Sequence, residues 1–365
     1  MTMGLLSLVW VCALAAAPAS ANDAGESVRF RGRSAMRVEA VRPSGAGGVL
    51  FDTEDSDPPA APYDTVLLHG LMPDPGVRIE LAVPTLGGVW HRWAPAEVKR
   101  FPNGRFWARY KFNGVSRRTL RLRAVDAGIR TAHLLALYDA ELFVAGAGPE
   151  PEPAARAGEG RAAVSAASYR LVTREDWGAR PATEKYEDHL PARFTMHHTA
   201  GTKPRTYDEA VQEMRFIQDY HINGRGWIDI GYHFVISPAG HAFQGRPEGA
   251  KGAHALGHNT GNLGVSFMGN YHAPIADEPA QESLDAFVSL GRRLSSDYAI
   301  PPERLETHRD LGSTDCPGDI LYAKFPELKA LIAGQAPPTK APEFGALPVL
   351  PPSGFSATYL DRLPW

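Results

Sequence analysis

Hydrophobic and polar positions change their period along the chain. Between residues 28 and 145 apolar side chains recur at every second position. Phe106, Ala108, Tyr110 and Phe112 alternate with Arg105, Trp107, Arg109 and Lys111; Asn113-Gly114 follows, and Leu120, Leu122 and Ala124 then alternate with Arg121 and Arg123. Two period-two runs around Asn-Gly predict a β-hairpin, its connection lengthened by residues 115–118. Short apolar runs at 65–68 and 77–83, bounded by Pro, Gly and Asp, predict further strands, and strands at that spacing suggest a sandwich or barrel. Trp90, Trp93 and Trp107 read as buried aromatics or, alternatively, as a sugar-stacking platform.

Residues 146–168, rich in Ala, Gly, Pro and Glu, read as a flexible linker without enough apolar surface to order itself. From 169 to 334 strand patterns alternate with helical ones, the signature of an α/β domain. Strands are predicted at 193–199, 231–237 and 263–270. Thr206-Tyr-Asp-Glu209 is a capping box opening a helix with Val211, Met214, Ile217 and Tyr220 at helical spacing. Leu284, Phe287, Val288 and Leu294 mark a second helix, and residues 320–332 a third, with Gly334 as its stop. Residues 335–365 hold seven prolines and read as an extended tail.

Composition narrows the classes. The chain has 365 residues, enough for two domains. A net charge of -3 excludes a polycation built for nucleic acid. The charge is unevenly shared: residues 28–145 carry 17 Lys/Arg against 12 Asp/Glu, whereas 169–365 carry 19 against 24. Residues 99–130 hold ten basic side chains against Asp126. That stretch reads as a solvated strand face or as a basic face touching an anionic cell-envelope polymer.

Residues 1–21 lack any charged side chain and end in Ala19-Ser20-Ala21 after an apolar run at 5–17, which reads as an export signal with Asn22 as the mature start. The run is too short to span a bilayer, and no later stretch is long and apolar enough. The expected location is periplasmic or secreted. Of two cysteines, Cys12 would leave with the signal, and Cys316 would remain alone.

Two histidine-bearing segments carry candidate chemistry: His197-His198 on a predicted strand, and His308 followed by Cys316 eight positions later. Neighbouring strand residues point to opposite faces. His198 shares its phase with Phe194 and Met196, and His197 with Thr195 and Thr199, which favours His197 as the cleft-facing residue. Two imidazoles and a thiolate suit zinc and leave a fourth position for water. A structural role for a lone buried Cys316 is the competing reading.

Six blocks then occur in order: REDWGAR at 174–180, HHTAG at 197–201, GWIDIGYHF at 226–234, GAH at 252–254, NLGVSFMGN at 262–270 and HRDLGSTDCPG at 308–318. Over about residues 169–333 the chain resembles the peptidoglycan recognition protein family, which includes the zinc N-acetylmuramoyl-L-alanine amidases of phage lysozyme type. The resemblance implies an α/β domain with a central mixed β-sheet flanked by helices, preceded here by a separate β-rich domain at 28–145. It implies zinc held by His197, His308 and Cys316, with Tyr232 and Thr314 assisting catalysis. Thr314 stands where phage members carry lysine, so it can donate a hydrogen bond but adds no charge. Gly226, Trp227 and His254 fall among expected substrate contacts, and Gly226-Trp227 is the pair associated with diaminopimelate-type stem peptides. The implied reaction cleaves the amide between N-acetylmuramic acid and L-alanine in peptidoglycan. The alternative is a protein of this family that binds peptidoglycan without cutting it.

Overall fold

The computed structural model describes residues 25–34, 37–41, 46–72, 75–83, 92–128, 133–145 and 169–335. The expected export signal with Cys12, Trp90, the expected linker at 146–168 and the expected tail beyond Gln335 lie outside the described residues.

Two larger antiparallel sheets, with a two-stranded pair Arg29–Phe30 and Arg33–Ser34 beside them, form the first half among the described residues. One runs Glu26–Ser27, His133–Phe143, Tyr63–Leu71, Arg105–Ser116, Glu97–Arg100, with Arg37–Val41 also paired to His133–Phe143. The other runs Val49–Asp52, Arg121–Asp126, Val77–Ala82, Ala94–Pro95. Val66, Leu68, Phe106 and Leu137 of the first sheet meet Ile79, Leu81, Leu122 and Ala124 of the second in one buried cluster. Alternation creates these faces, and burying them against each other makes a sandwich.

The hairpin expected at Asn113-Gly114 does not form. Strand Arg105–Ser116 runs through both residues, and its pairing with Tyr63–Leu71 shifts register between Lys111 and Ser116. Gly114 takes φ 107°, so the Asn-Gly pair makes an irregularity inside a strand. The chain then crosses to the other sheet, where Arg121–Asp126 pairs with Val49–Asp52 and Val77–Ala82. The two runs bury their apolar faces in one cluster by meeting across the sandwich.

The second half is a six-stranded mixed sheet in the order Arg170–Val172, His241–Gln244, Phe234–Ile236, Asn262–Phe267, Arg193–His198, Leu305–Thr307. Its pairings are parallel except between Phe234–Ile236 and His241–Gln244. Helix α1 (Tyr207–Asp219) opens on the Thr206–Glu209 capping box and covers one face with Met214 and Ile217. Helices α2 (Gln281–Asp297) and α4 (Asp319–Ile332) cover the other through Leu284, Phe287, Leu321 and Phe325. The helix opened by α1 continues as a π-helix, Tyr220–Arg225, ended by Gly226 in the left-handed conformation at φ 79°. Pi-helical turns are rare and recur at functional sites.

The halves are packed together. Leu67, Trp107 and Phe143 of the sandwich share a buried cluster with Met214, Phe216, Ile217 and Tyr220. Trp107 is 2% exposed and donates through Nε1 to Asp219 at 3.0 Å, which leaves it no face for stacking on a sugar. The basic stretch is answered within the chain. Lys99 pairs with Asp219 at 2.6 Å, Arg105 with Glu213 at 3.1 Å and Arg123 with Glu80 at 2.6 Å, and Arg109 donates to the Asn223 carbonyl at 2.8 Å. Those four side chains therefore support no anionic-polymer face; Lys99, Arg105 and Arg109 meet the acidic half of the same molecule, and Arg123 a carboxylate of its own half.

Candidate metal centre

The centre lies at the carboxyl ends of two neighbouring parallel strands, where open α/β sheets place their crevices. His197 is the penultimate residue of Arg193–His198. Leu305–Thr307 lies beside that strand and runs directly into α3 (His308–Leu311). Thr307 caps α3, its side chain accepting from the Asp310 N–H while Asp310 reaches back to the Thr307 N–H, so His308 is fixed at the first helical position. Arg309 braces the following loop by donating to the Asp315 carbonyl at 2.6 Å and pairing with Asp319 at 2.8 Å. That loop returns Cys316 to the strand end.

The ligand atoms of His197, His308 and Cys316 lie within 4.8 Å of one another. A tetrahedral zinc with ordinary bond lengths separates a nitrogen from a sulfur ligand by about 3.5 Å. His197 Nδ1 and Cys316 Sγ stand 3.6 Å apart, so this pair fits that ion. His197 is 1% exposed, while His308 and Cys316 line an adjoining cleft of about 540 Å³.

A hydrogen-bonded chain sets the tautomer of His197. The Asn262 carbonyl, 3.1 Å from His254 Nε2, can only accept, so Nε2 carries the His254 proton. The other nitrogen of a neutral His254, Nδ1, must then accept from His197 Nε2–H across 3.0 Å. That arrangement leaves the His197 Nδ1 lone pair facing Cys316. Burial drives the pKa of His254 down to about 3 and that of His308 down to about 4, with neighbouring histidines adding to the fall, and holds His197 well below its ordinary value. Every imidazole of the centre is therefore neutral at pH 7, the state a metal requires. Burial pushes the Cys316 thiol up to about 12, against the opposing influence of the His198 N–H, which donates to Sγ at 3.4 Å.

His198, on the opposite strand face, accepts the Tyr271 N–H through Nδ1 at 3.3 Å and is itself among the residues lining the cleft, whereas His197 lies buried behind it. Tyr232 lines the cleft with its ring 5.3 Å from that of His197, and burial raises its pKa above the ordinary tyrosine value. Thr314 also lines the cleft and accepts the Cys316 N–H through Oγ1 at 3.1 Å. Trp227 is on the cleft wall beneath Arg225, whose guanidinium lies 4.9 Å from the indole, and Gly226 makes the turn that presents it. His254, expected among the substrate contacts, has both ring nitrogens engaged by His197 and Asn262 and serves here to orient His197.

Sequence reasoning missed the wall opposite. His69, Tyr138, Asp139 and Glu141 of the sandwich line the same cleft. Alternation marks such residues as outward-facing without saying what they face.

Residues 187–319 match the family model described as N-acetylmuramoyl-L-alanine amidase. Over 157 residues the chain is 36% identical to peptidoglycan-recognition protein SC2 of Drosophila simulans, covering 42% of this chain and 82% of that protein. It is 40% identical over 154 residues to a human N-acetylmuramoyl-L-alanine amidase, covering 40% of this chain and 26% of that protein. The solved structure of wild-type Drosophila PGRP-LB aligns with 31% identity and a TM-score of 0.40 over 43% of this chain and 92% of its own. No helix among the described residues is long and apolar enough to cross a membrane. With 82% of the Drosophila simulans protein matched at 36% identity, and with the amidase family model matched over residues 187–319, the chain belongs to the peptidoglycan-recognition protein family.

Proposed function

We propose that the protein is an exported, zinc-dependent N-acetylmuramoyl-L-alanine amidase acting on peptidoglycan of the diaminopimelate type. The observation that carries the reading is the His197–His308–Cys316 set, with the His197 Nδ1 lone pair turned toward Sγ by the His254–Asn262 chain. A protein that only binds peptidoglycan has no use for such a donor set.

When bound, zinc supplies Lewis-acid polarisation of the scissile carbonyl and acidifies a water molecule. The rest falls to the chain itself. His254 and Asn262 keep His197 in one tautomer and one orientation. Tyr232 stays protonated through the working pH range and acts as a neutral donor toward the carbonyl oxygen as it gains charge. The Thr314 hydroxyl spends its acceptor capacity on the Cys316 N–H, which leaves its proton available to the same oxygen. Trp227, at the cleft wall, supports the diaminopimelate assignment by its position beside the Gly226 turn.

Mass spectrometry of digested diaminopimelate- and lysine-type peptidoglycan, with and without zinc, tests the reading. Stem peptides beginning at L-alanine are expected, more from the diaminopimelate type, with none after chelation or in Cys316→Ser. Release that survives both treatments overturns the zinc mechanism; zinc-independent binding without release returns the protein to recognition alone.

A further inference from the structure

The cleft beside the metal centre is built by both halves of the molecule, and the sandwich wall carries a feature the proposed amidase chemistry does not use. Strand His133–Phe143 shifts register against Tyr63–Leu71 between Leu137, opposite Gly70, and Asp139, opposite His69. Before the shift, Leu135 and Leu137 face the sandwich interior; after it, Ala140 and Leu142 do. One extra residue has been inserted, so Tyr138 and Asp139, neighbours in sequence, both face outward. Regular alternation forbids that arrangement, and a β-bulge is the standard way to re-aim a side chain beside a site.

Both side chains reach the cleft. Tyr138 is only 7% exposed, its ring held against His69 at 6.2 Å and under the Arg105 guanidinium at 5.1 Å. Its hydroxyl nevertheless makes no hydrogen bond among the described residues. Asp139 accepts the Ala140 N–H through Oδ1 at 2.8 Å, and its Oδ2 makes no hydrogen bond among the described residues. The other carboxylates of the cleft have partners: on this wall Glu141 pairs with Arg225 and Glu26 accepts the Ala60 and Ala61 N–H groups, and on the loop opposite Asp315 pairs with Arg29 at 3.4 Å. Among the described residues no ion pair joins Asp139 to a cation, and the nearby Arg225 is paired with Glu141. Asp139 is half-buried at the cleft wall, where a carboxylate oxygen without a counter-charge suits a cationic ligand, and an ammonium brings both the charge and the donors it lacks.

We propose that Tyr138 and Asp139 form a substrate subsite that receives a primary ammonium on the stem peptide, with Asp139 Oδ2 as its charge partner and the Tyr138 hydroxyl as a second acceptor. The proposal rests on the amidase reading for its substrate. Peptidoglycan stem peptides carry a diamino acid whose side-chain amine is free when uncrosslinked and acylated when crosslinked. The sandwich domain thereby makes the protein favour stem peptides with a free amine. Asp139 is held protonated up to about 8 by burial and by the charge of Glu141, against the opposing influence of the Ala140 N–H and the Arg225 charge, as suits a carboxyl built to meet a closer cation.

The test compares a soluble muropeptide bearing a free side-chain amine with the same compound acetylated there, using the full-length zinc-loaded protein. For the wild type, acetylation is expected to raise KM about tenfold with little change in kcat, the size of one lost charge-assisted hydrogen bond. Asp139→Asn is expected to treat the two compounds alike, and Tyr138→Phe to narrow the difference. Calorimetric binding of both compounds to wild-type and Asp139→Asn protein reads the subsite even if nothing is cleaved, which separates failure of the subsite from failure of the amidase reading. Equal wild-type affinity for the two compounds overturns the proposal. So does undiminished discrimination in both variants, each with a wild-type circular dichroism spectrum and melting point.

Discussion

Arg105 of the sandwich donates through Nε to Glu213 of helix α1 at 3.1 Å, and both side chains are 1% exposed. The guanidinium also donates to the Gly70 carbonyl at 2.9 Å and lies 3.9 Å from the centre of the Phe216 ring, while Thr202 donates to the same Glu213 oxygen at 2.9 Å. A desolvated ion pair between the two halves gives the excess of basic residues before the linker, and of acidic ones after it, a structural meaning. Its position also locks the sandwich against the cleft.

Removing one partner of this pair leaves a buried charge without an answer. Arg105→Met should destabilise the protein by about 3–5 kcal/mol. The double variant Arg105→Met/Glu213→Leu should regain most of that loss, because no charge is then stranded. Urea unfolding of the three proteins checks this, and a double variant no more stable than the single one would contradict it.

Zinc uptake should release one proton at neutral pH. With its thiol raised to about 12, Cys316 must be deprotonated to ligate, whereas His308, lowered to about 4, has no proton to lose. Affinity therefore rises with pH, about tenfold per unit between pH 6 and 8. Calorimetry in buffers of different ionisation enthalpy measures the proton count, and a pH-independent affinity would refute the assignment of Cys316 as ligand.

On the proposed zinc reading, His254 would act on the metal through its hydrogen bond to His197. Replacing it with Phe keeps a ring in the space but removes the acceptor for His197 Nε2–H. Zinc affinity should fall about 10- to 100-fold. Competition with a chromogenic chelator provides the measurement; an unchanged affinity would show that His197 is oriented by packing alone.

Asp139 should make stability fall as pH rises. Its folded-state pKa is raised to about 8 by burial and by Glu141, above the ordinary value of 3.8. Between those limits the unfolded chain has lost the proton and the folded one keeps it. Each pH unit in that window then costs up to about 1.4 kcal/mol from this group. Urea midpoints at pH 5 and pH 7.5 should differ less in Asp139→Asn than in the wild type.

Much of the amidase-like half was legible beforehand because its signals are local. The capping box at Thr206 and Glu209 satisfies backbone donors within one turn, and α1 begins there. The strand phase separated His197 from His198, since adjacent side chains on a strand must point apart. The ordered motif blocks brought His308 and Cys316 into the same expectation. The π-helix at Tyr220–Arg225 had no such signal: helical spacing through Tyr220 looks the same whether the next turn is α or π.

In the sandwich, the sequence by itself determined that strands would form and that each would have an apolar and a polar face. It could not determine what the polar face would meet. Arg105 and Trp107 alternate with core residues as solvent-facing side chains do, yet both are buried against α1, because a charged surface can be covered by one of opposite charge as well as by water. Asn113-Gly114 permits a turn without requiring one, and the demand to bury two apolar faces across the sandwich decided against it. The inserted residue that turns Tyr138 and Asp139 to the same side exists only through pairing with a strand about seventy residues earlier. Only the tertiary structure could place those two side chains in the cleft with His308 and Cys316, since register is a property of two strands together.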